Sequence, residues 1–330
     1  MDLSAIVKAY DVRGVVPDEF DEDIATRIGS AFARFVDADE VIVGHDCRLS
    51  SPAIREALID GITASGTNVR MIGEIPTDLL YFASGSLSLP GVVITASHNP
   101  PQYNGLKLCQ PGAAPVGRDT GLEEIRAMAE EGVDAAATPG TVTVEDLTDG
   151  YVDHVLQATG AEGISGMRVA ADGGNGMAGA VLPDVFDRLD AELLPLYLEP
   201  DGTFPNHPAD PLRPENLVDL STLVVDERPD IGVAFDGDAD RAFFVDDLAV
   251  PLPGSTTTAI VADWFLAREP GSAVVHNLIC YKAVPETVRR AGGLPVRTKV
   301  GHSYIKQVMA ETGAVAFQVF LYVFFQKRVS

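Results

Sequence analysis

Cysteine is scarce in this chain, and basic residues are outnumbered two to one. The three cysteines, Cys47, Cys109 and Cys280, lie far apart and form no C-x-x-C pair. That argues against a zinc knuckle or a disulfide framework and fits reduced thiols in a cytoplasmic protein. With 24 Lys and Arg against 48 Asp and Glu the formal charge is −24. Such a field repels nucleic acid and anionic membranes, so neither is an expected partner. An anionic metabolite can still bind, where a local group of cations reverses the field. Long apolar runs are missing as well: Val315 to Phe325 is too short to span a membrane as a helix, and Gln318 interrupts it. The opening string MDLSAIVKAYDVRG has no basic start followed by an apolar run, so no secretion signal is read there.

What is present is a repeated plan. The 330 residues suit two or three domains, each large enough to bury its own core. Three segments, starting near Glu40, Gly166 and Ser272, each run from a β-branched apolar stretch through a polar loop and a helix-length amphipathic stretch to a second apolar run. Each then continues through another helical stretch into another strand: GVVITA, DIGVAF and GAVAF. The expected fold is therefore α/β, with three tandem domains over 1–147, 148–250 and 251–330 whose sites lie beyond the carboxyl ends of strands.

Two of those strand ends open into polar loops. After DIGVAF come Asp236, Asp238 and Asp240, alternating about Gly237 and followed by Arg241. Three carboxylates brought to one point repel one another unless a hard divalent cation takes them as oxygen ligands, and magnesium sharing an external phosphate suits that donor set. A calcium EF-hand would need Gly at Arg241 and Glu at Asp247, and the haloacid-phosphatase string D-x-D-G is broken by Ala239. After GVVITA comes Ser97 in TASHNPPQYNGLK, where a Pro-Pro turn stiffens the loop. It lacks the G-x-S-x-G elbow, and His98 is not expected to reach back to Ser97 as a triad base, so acyl transfer is disfavoured. Two basic islands, Lys8 with Arg13 in KAYDVRG and Lys299 with His302 in TKVGHSYIK, offer phosphate contacts and a proton carrier. Gly174, Gly176 and Gly179 satisfy G-x-G-x-x-G, which leaves a dinucleotide-binding oxidoreductase as a competing reading; a structural turn is favoured.

Together KAYDVRG, TASHNPPQYNGLK, DGDADR and KVGHSYIK, in this order, resemble the α-D-phosphohexomutase family, closest to its bacterial phosphomannomutase/phosphoglucomutase branch. The resemblance implies that Ser97 is a phosphoserine which passes its phosphoryl group to a hexose phosphate and takes one back from a hexose 1,6-bisphosphate. It implies that Asp236, Asp238, Asp240 and Ser97 hold Mg2+. Lys107, His302 and Arg13 become catalytic candidates, and Tyr10, His98, Asn99, Asn104, Arg241 and Lys299 become substrate or phosphate contacts. Lys107 is expected to work partly neutral.

The sequence departs from the family after Ala316. Family members run to four domains, with a G-E-x-S-G-H sugar loop after the third strand. Here AFQVFLYVFFQKRVS follows, which reads as a truncated gene or a change of frame from about residue 317. A third domain left incomplete and a fourth left out imply weak mutase activity. The run Val319 to Phe325 is expected to favour aggregation. A phosphoglucosamine mutase and a non-catalytic magnesium-binding remnant remain the alternatives, and oligomeric state is open.

Overall fold

The first helix shows how local sequence sets the elements. Asp21 caps α1 (Glu22–Val36) by accepting from the Ile24 N–H, Glu22 and Asp23 occupy the positive end of its dipole, and Arg34 sits in the last turn. In α2 (Ser51–Ala64), Ile54, Leu58 and Ile62 recur every fourth residue and all are fully buried, each burial contributing about 1.5–3 kcal/mol. In this computed structural model, residues 1–160 and 163–300 are described, together with 305, 308–309, 311–314 and the backbone of 316–318.

Strands β1 (Val12–Val15), β2 (Glu40–His45), β3 (Asn68–Glu74), β4 (Gly91–Ile94), β5 (Tyr103–Gln110), β6 (Ala114–Pro115) and β7 (Val142–Val144) form the first sheet, with α3 (Thr77–Leu87) and α4 (Leu122–Glu131) completing its cover. Its order is β1-β5-β4-β2-β3-β7, with β6 on β5. The second unit follows α5 (Thr148–Thr159) with β8 (Arg168–Asp172), α6 (Leu182–Asp187), β9 (Glu192–Leu196), α7 (Val218–Glu227), β10 (Ile231–Phe235) and β11 (Ala242–Val245), in sheet order β11-β10-β8-β9. The third comprises α8 (Gly254–Arg268), β12 (Ala273–Asn277), α9 (Ala283–Arg290), β13 (Leu294–Thr298) and β14 (Ala316–Gln318), in order β13-β12-β14.

The repeat read from sequence is visible in these orders. Each unit has a central strand flanked in parallel by the two that follow it: β4-β2-β3, β10-β8-β9 and β14-β12-β13. Antiparallel additions make the first two sheets mixed, through β5 on β4 and β11 on β10. The described strands of the third are all parallel. Because the second flanking strand leaves each core at its carboxyl end, Ser97 after β4 and Asp236 after β10 issue from equivalent places. Among the described residues, no helix is long and apolar enough to cross a membrane.

Candidate functional site

The serine loop is built from the first unit. Ser97 is 3% exposed and lies in the left-handed backbone region at φ 53°, an uncommon conformation for a residue with a Cβ. Its N–H donates to Thr95 Oγ1 at 3.0 Å. Arg48, buried at 1% exposure, donates to the carbonyls of Ser97, Asn99, Pro100 and Tyr103 at 2.7–3.0 Å and holds Asp46 through Nε. Arg13, on β1, donates to Asn99 Oδ1 at 2.5 Å.

The carboxylate loop comes from the second unit and presses backbone to backbone on the first. A Cβ on Gly237 would stand 2.3 Å from the Ser97 carbonyl oxygen, so no larger residue fits without moving one loop. Gly176 in turn lies against Gly237, where a Cβ would meet its carbonyl at 2.6 Å, and the Met177 N–H donates to that carbonyl. The G-x-G-x-x-G string therefore packs a turn under the aspartates, and a 3-10 turn at Met177–Ala180 follows it. Thr77, at the start of α3, donates its N–H to the Asp238 backbone carbonyl at 3.0 Å and its hydroxyl to the Asp238 carboxylate at 2.5 Å. The first turn of that helix thus holds both the backbone and the side chain of Asp238.

Across this seam the Ser97 hydroxyl donates to Asp236 Oδ2 at 2.6 Å and accepts from Arg241 Nη2 at 2.7 Å. Lys107, on β5, bridges Asp238 and Asp240. Burial pushes the Asp236 carboxyl up to about 7 against the opposing pull of Arg241. At Asp238 burial acts in the same direction, but the Lys107 ammonium and the Thr77 hydroxyl overcome it and hold that carboxyl well below its usual range. Asp240 is held above its usual range by burial and by the neighbouring Asp238 charge. Ligand oxygens of all three aspartates lie within 4.8 Å of one another. The buried Asp238 Oδ1 and Asp240 Oδ1 accept no hydrogen bond. Unsatisfied oxygens converging beside an acceptor hydroxyl fit a hard divalent cation.

Some of the expected residues sit otherwise. His98 stands beside Ser97, its Nδ1 3.3 Å from Oγ. Burial and Arg241 press its pKa down to about 4, and Arg241 donates to the same Nδ1, so the ring is neutral with Nδ1 already engaged. The closer acceptor for the serine hydroxyl is Asp236. Asn104 does not face a cleft: it is fully buried and donates to the Ser50 and Ser51 hydroxyls, bracing the turn that carries Arg48. Tyr10 is half-buried just before β1, and Lys299 is exposed just after β13. His302 and the run Val319–Phe325 lie outside the described residues. Sequence reasoning missed Arg48 and Thr77. The string DCRLSSP at the end of β2 was the available signal for Arg48, whereas nothing local marks Thr77.

Repeated α/β units that bring a serine from one strand end against clustered aspartates from another define a multidomain phosphoryl-transfer enzyme. Models of the phosphoglucomutase/phosphomannomutase α/β/α domains I, II and III match residues 4–135, 149–249 and 253–318. The chain belongs to the phosphoglucomutase/phosphomannomutase family, and so to the phosphomutase isomerases. It is 41% identical to a Xanthomonas campestris protein named for phosphohexose mutases, over 93% of this chain and 69% of that protein. It is 36% identical to the phosphomannomutase of Escherichia coli K12, over 93% of this chain and 70% of the relative. A crystal structure of a Burkholderia thailandensis family protein superposes with a TM-score of 0.89 at 35% identity, covering 99% of this chain and 73% of that one.

Proposed function

We propose that this chain transfers a phosphoryl group between Ser97 and a hexose phosphate, interconverting the 6- and 1-phosphates of mannose or glucose through a bound 1,6-bisphosphate. The observation that carries this reading is the contact of Ser97 Oγ with Asp236 at 2.6 Å across two units, with Arg241 on the same oxygen. In the forward half-step the bond from phosphorus to Ser97 Oγ breaks as a bond to a sugar oxygen forms. Arg241 meets the charge developing on the departing serine oxygen. Lys107 and His302 are proposed to carry the proton released by the sugar hydroxyl, and Arg13, Tyr10, His98, Asn99 and Lys299 to orient serine loop and substrate. Asp236, Asp238, Asp240 and Ser97 would hold Mg2+, which when bound neutralises charge on the phosphoryl group.

The phosphomannomutase relative and the phosphoglucomutase/phosphomannomutase domain models favour mannose and glucose phosphates over glucosamine phosphate. The segment Phe317–Ser330 carries no Gly, Asp, Glu, Asn or His with which to form the family's sugar loop. Loss of those sugar contacts is accordingly proposed to lower turnover.

A coupled assay with Mg2+, a trace of glucose 1,6-bisphosphate and either sugar 1-phosphate tests the reading, with Ser97→Ala as control. Serine-dependent product is the expected result. A folded chain that neither turns over nor takes phosphate onto Ser97 overturns it.

A further inference from the structure

Arg48 does more than brace one loop. Its guanidinium spends every donor on the first unit, four backbone carbonyls of the serine loop and Asp46, yet its face is covered by the second. The ring of Phe204 lies over Arg48 Cζ at 5.2 Å, a cation–π arrangement across the seam. Phe204 is half-buried and takes a left-handed φ of 49°, fixed by its N–H to the Asp201 carbonyl at 2.9 Å. Beside it, a Cβ on Gly202 would stand 2.4 Å from the Cys47 carbonyl, so the two backbones touch there.

The Phe204 turn is tied to the metal-type loop through one residue. The Asn175 carbonyl accepts from the Asp201 N–H at 2.8 Å, its amide donates to the Glu199 carbonyl at 2.9 Å, and its Oδ1 accepts from Asn206 at 2.8 Å. Asn175 directly precedes Gly176, which lies against Gly237 between Asp236 and Asp238. A continuous chain of contacts therefore runs from the aspartate loop through Asn175 and Phe204 to Arg48, and from Arg48 to the Ser97 carbonyl.

We infer that Arg48 and Phe204 form a latch between the two units that sets the Ser97 loop in register with the aspartate loop, making Phe204 a positioning residue for phosphoryl transfer. The latch explains how a serine at a strained φ is held while its neighbour in space belongs to another domain. Its catalytic meaning rests on the reading of Ser97 as the phosphoryl carrier.

The test compares Phe204→Leu, which keeps apolar bulk but removes the π face, with Phe204→Trp, which keeps it, and with Arg48→Lys, which keeps charge but loses the fork. Two quantities are read on the full chain: amide hydrogen exchange over residues 97–103, and the rate at which glucose 1,6-bisphosphate with Mg2+ phosphorylates Ser97, followed by intact mass. Loss of the π contact is expected to speed exchange in that loop roughly three- to tenfold. The maximal phosphorylation rate falls by a similar factor at unchanged half-saturation, with the melting temperature little moved and Phe204→Trp close to wild type. Unchanged exchange over 97–103 in Phe204→Leu overturns the latch. Because Phe204 is only half-buried, that variant folds even if Arg48→Lys does not. A wild-type chain that takes up no phosphate overturns the proposed activity and not the latch, which the exchange readout still decides.

Discussion

The Ser97 loop and the Asp236–Asp240 loop leave equivalent strands of two copies of one unit, yet they are assembled in opposite ways. The backbone of the serine loop is pinned from within its own unit: Arg48 gathers its carbonyls, Arg13 holds the Asn99 side chain and Thr95 accepts from the Ser97 N–H. The aspartate loop is finished from outside, since Lys107 and Thr77, which engage Asp238, both belong to the first unit. One loop has its backbone held by an arginine's hydrogen bonds to four carbonyls. The other depends on charge supplied across a seam.

That contrast predicts where the molecule breaks most easily. Lys107→Met is expected to have the largest effect, because it removes the ammonium that bridges buried Asp238 and Asp240; breaking a buried pair costs about 3–5 kcal/mol. Urea unfolding without metal should show it, and Mg2+ should return part of the loss. In the wild type, Mg2+ at a hundredfold over its dissociation constant should add about 2.7 kcal/mol, read as a shifted thermal midpoint, and Asp240→Asn should abolish that shift. Gly237→Ala forces a Cβ onto the Ser97 carbonyl and should cost about 1–3 kcal/mol. By displacing the reacting groups it should also slow Ser97 phosphorylation by roughly a hundredfold, checked by intact mass.

The smallest effect sharpens the comparison through pH. Asp46, just after β2, is paired with Arg48, whereas Asp172, which ends β8, is paired with His207 at 3.0 Å. The hydrogen bond to Asp172 raises the His207 pKa above its ordinary 6.5, against the opposing effect of burial. Its contribution to stability is thus full below the unfolded value and fades as pH rises through the folded one. Denaturant midpoints measured across pH 5 to 9 should lose this component in His207→Gln.

Much of this was legible in sequence because the relevant signals are local. Apolar β-branched runs such as Val41–Val43 and Val92–Ile94 announce core strands, and polar strings directly after them mark sites at strand ends. The alternation at Asp236, Asp238 and Asp240 is visible for the same reason. Arg48 was not, because an arginine in a polar turn reads as solvated until the tertiary fold folds it inward. Thr77 was hidden because its partner lies 161 residues away.

Lys107 has a further consequence. The units share strand order and resemble interchangeable parts, but the ammonium that offsets the second unit's aspartates is carried on the first unit's β5. The repeat is modular in backbone and indivisible in charge. Duplication could multiply the scaffold freely, whereas exchange of one unit for a foreign copy succeeds only if the lysine and the aspartates travel as a set.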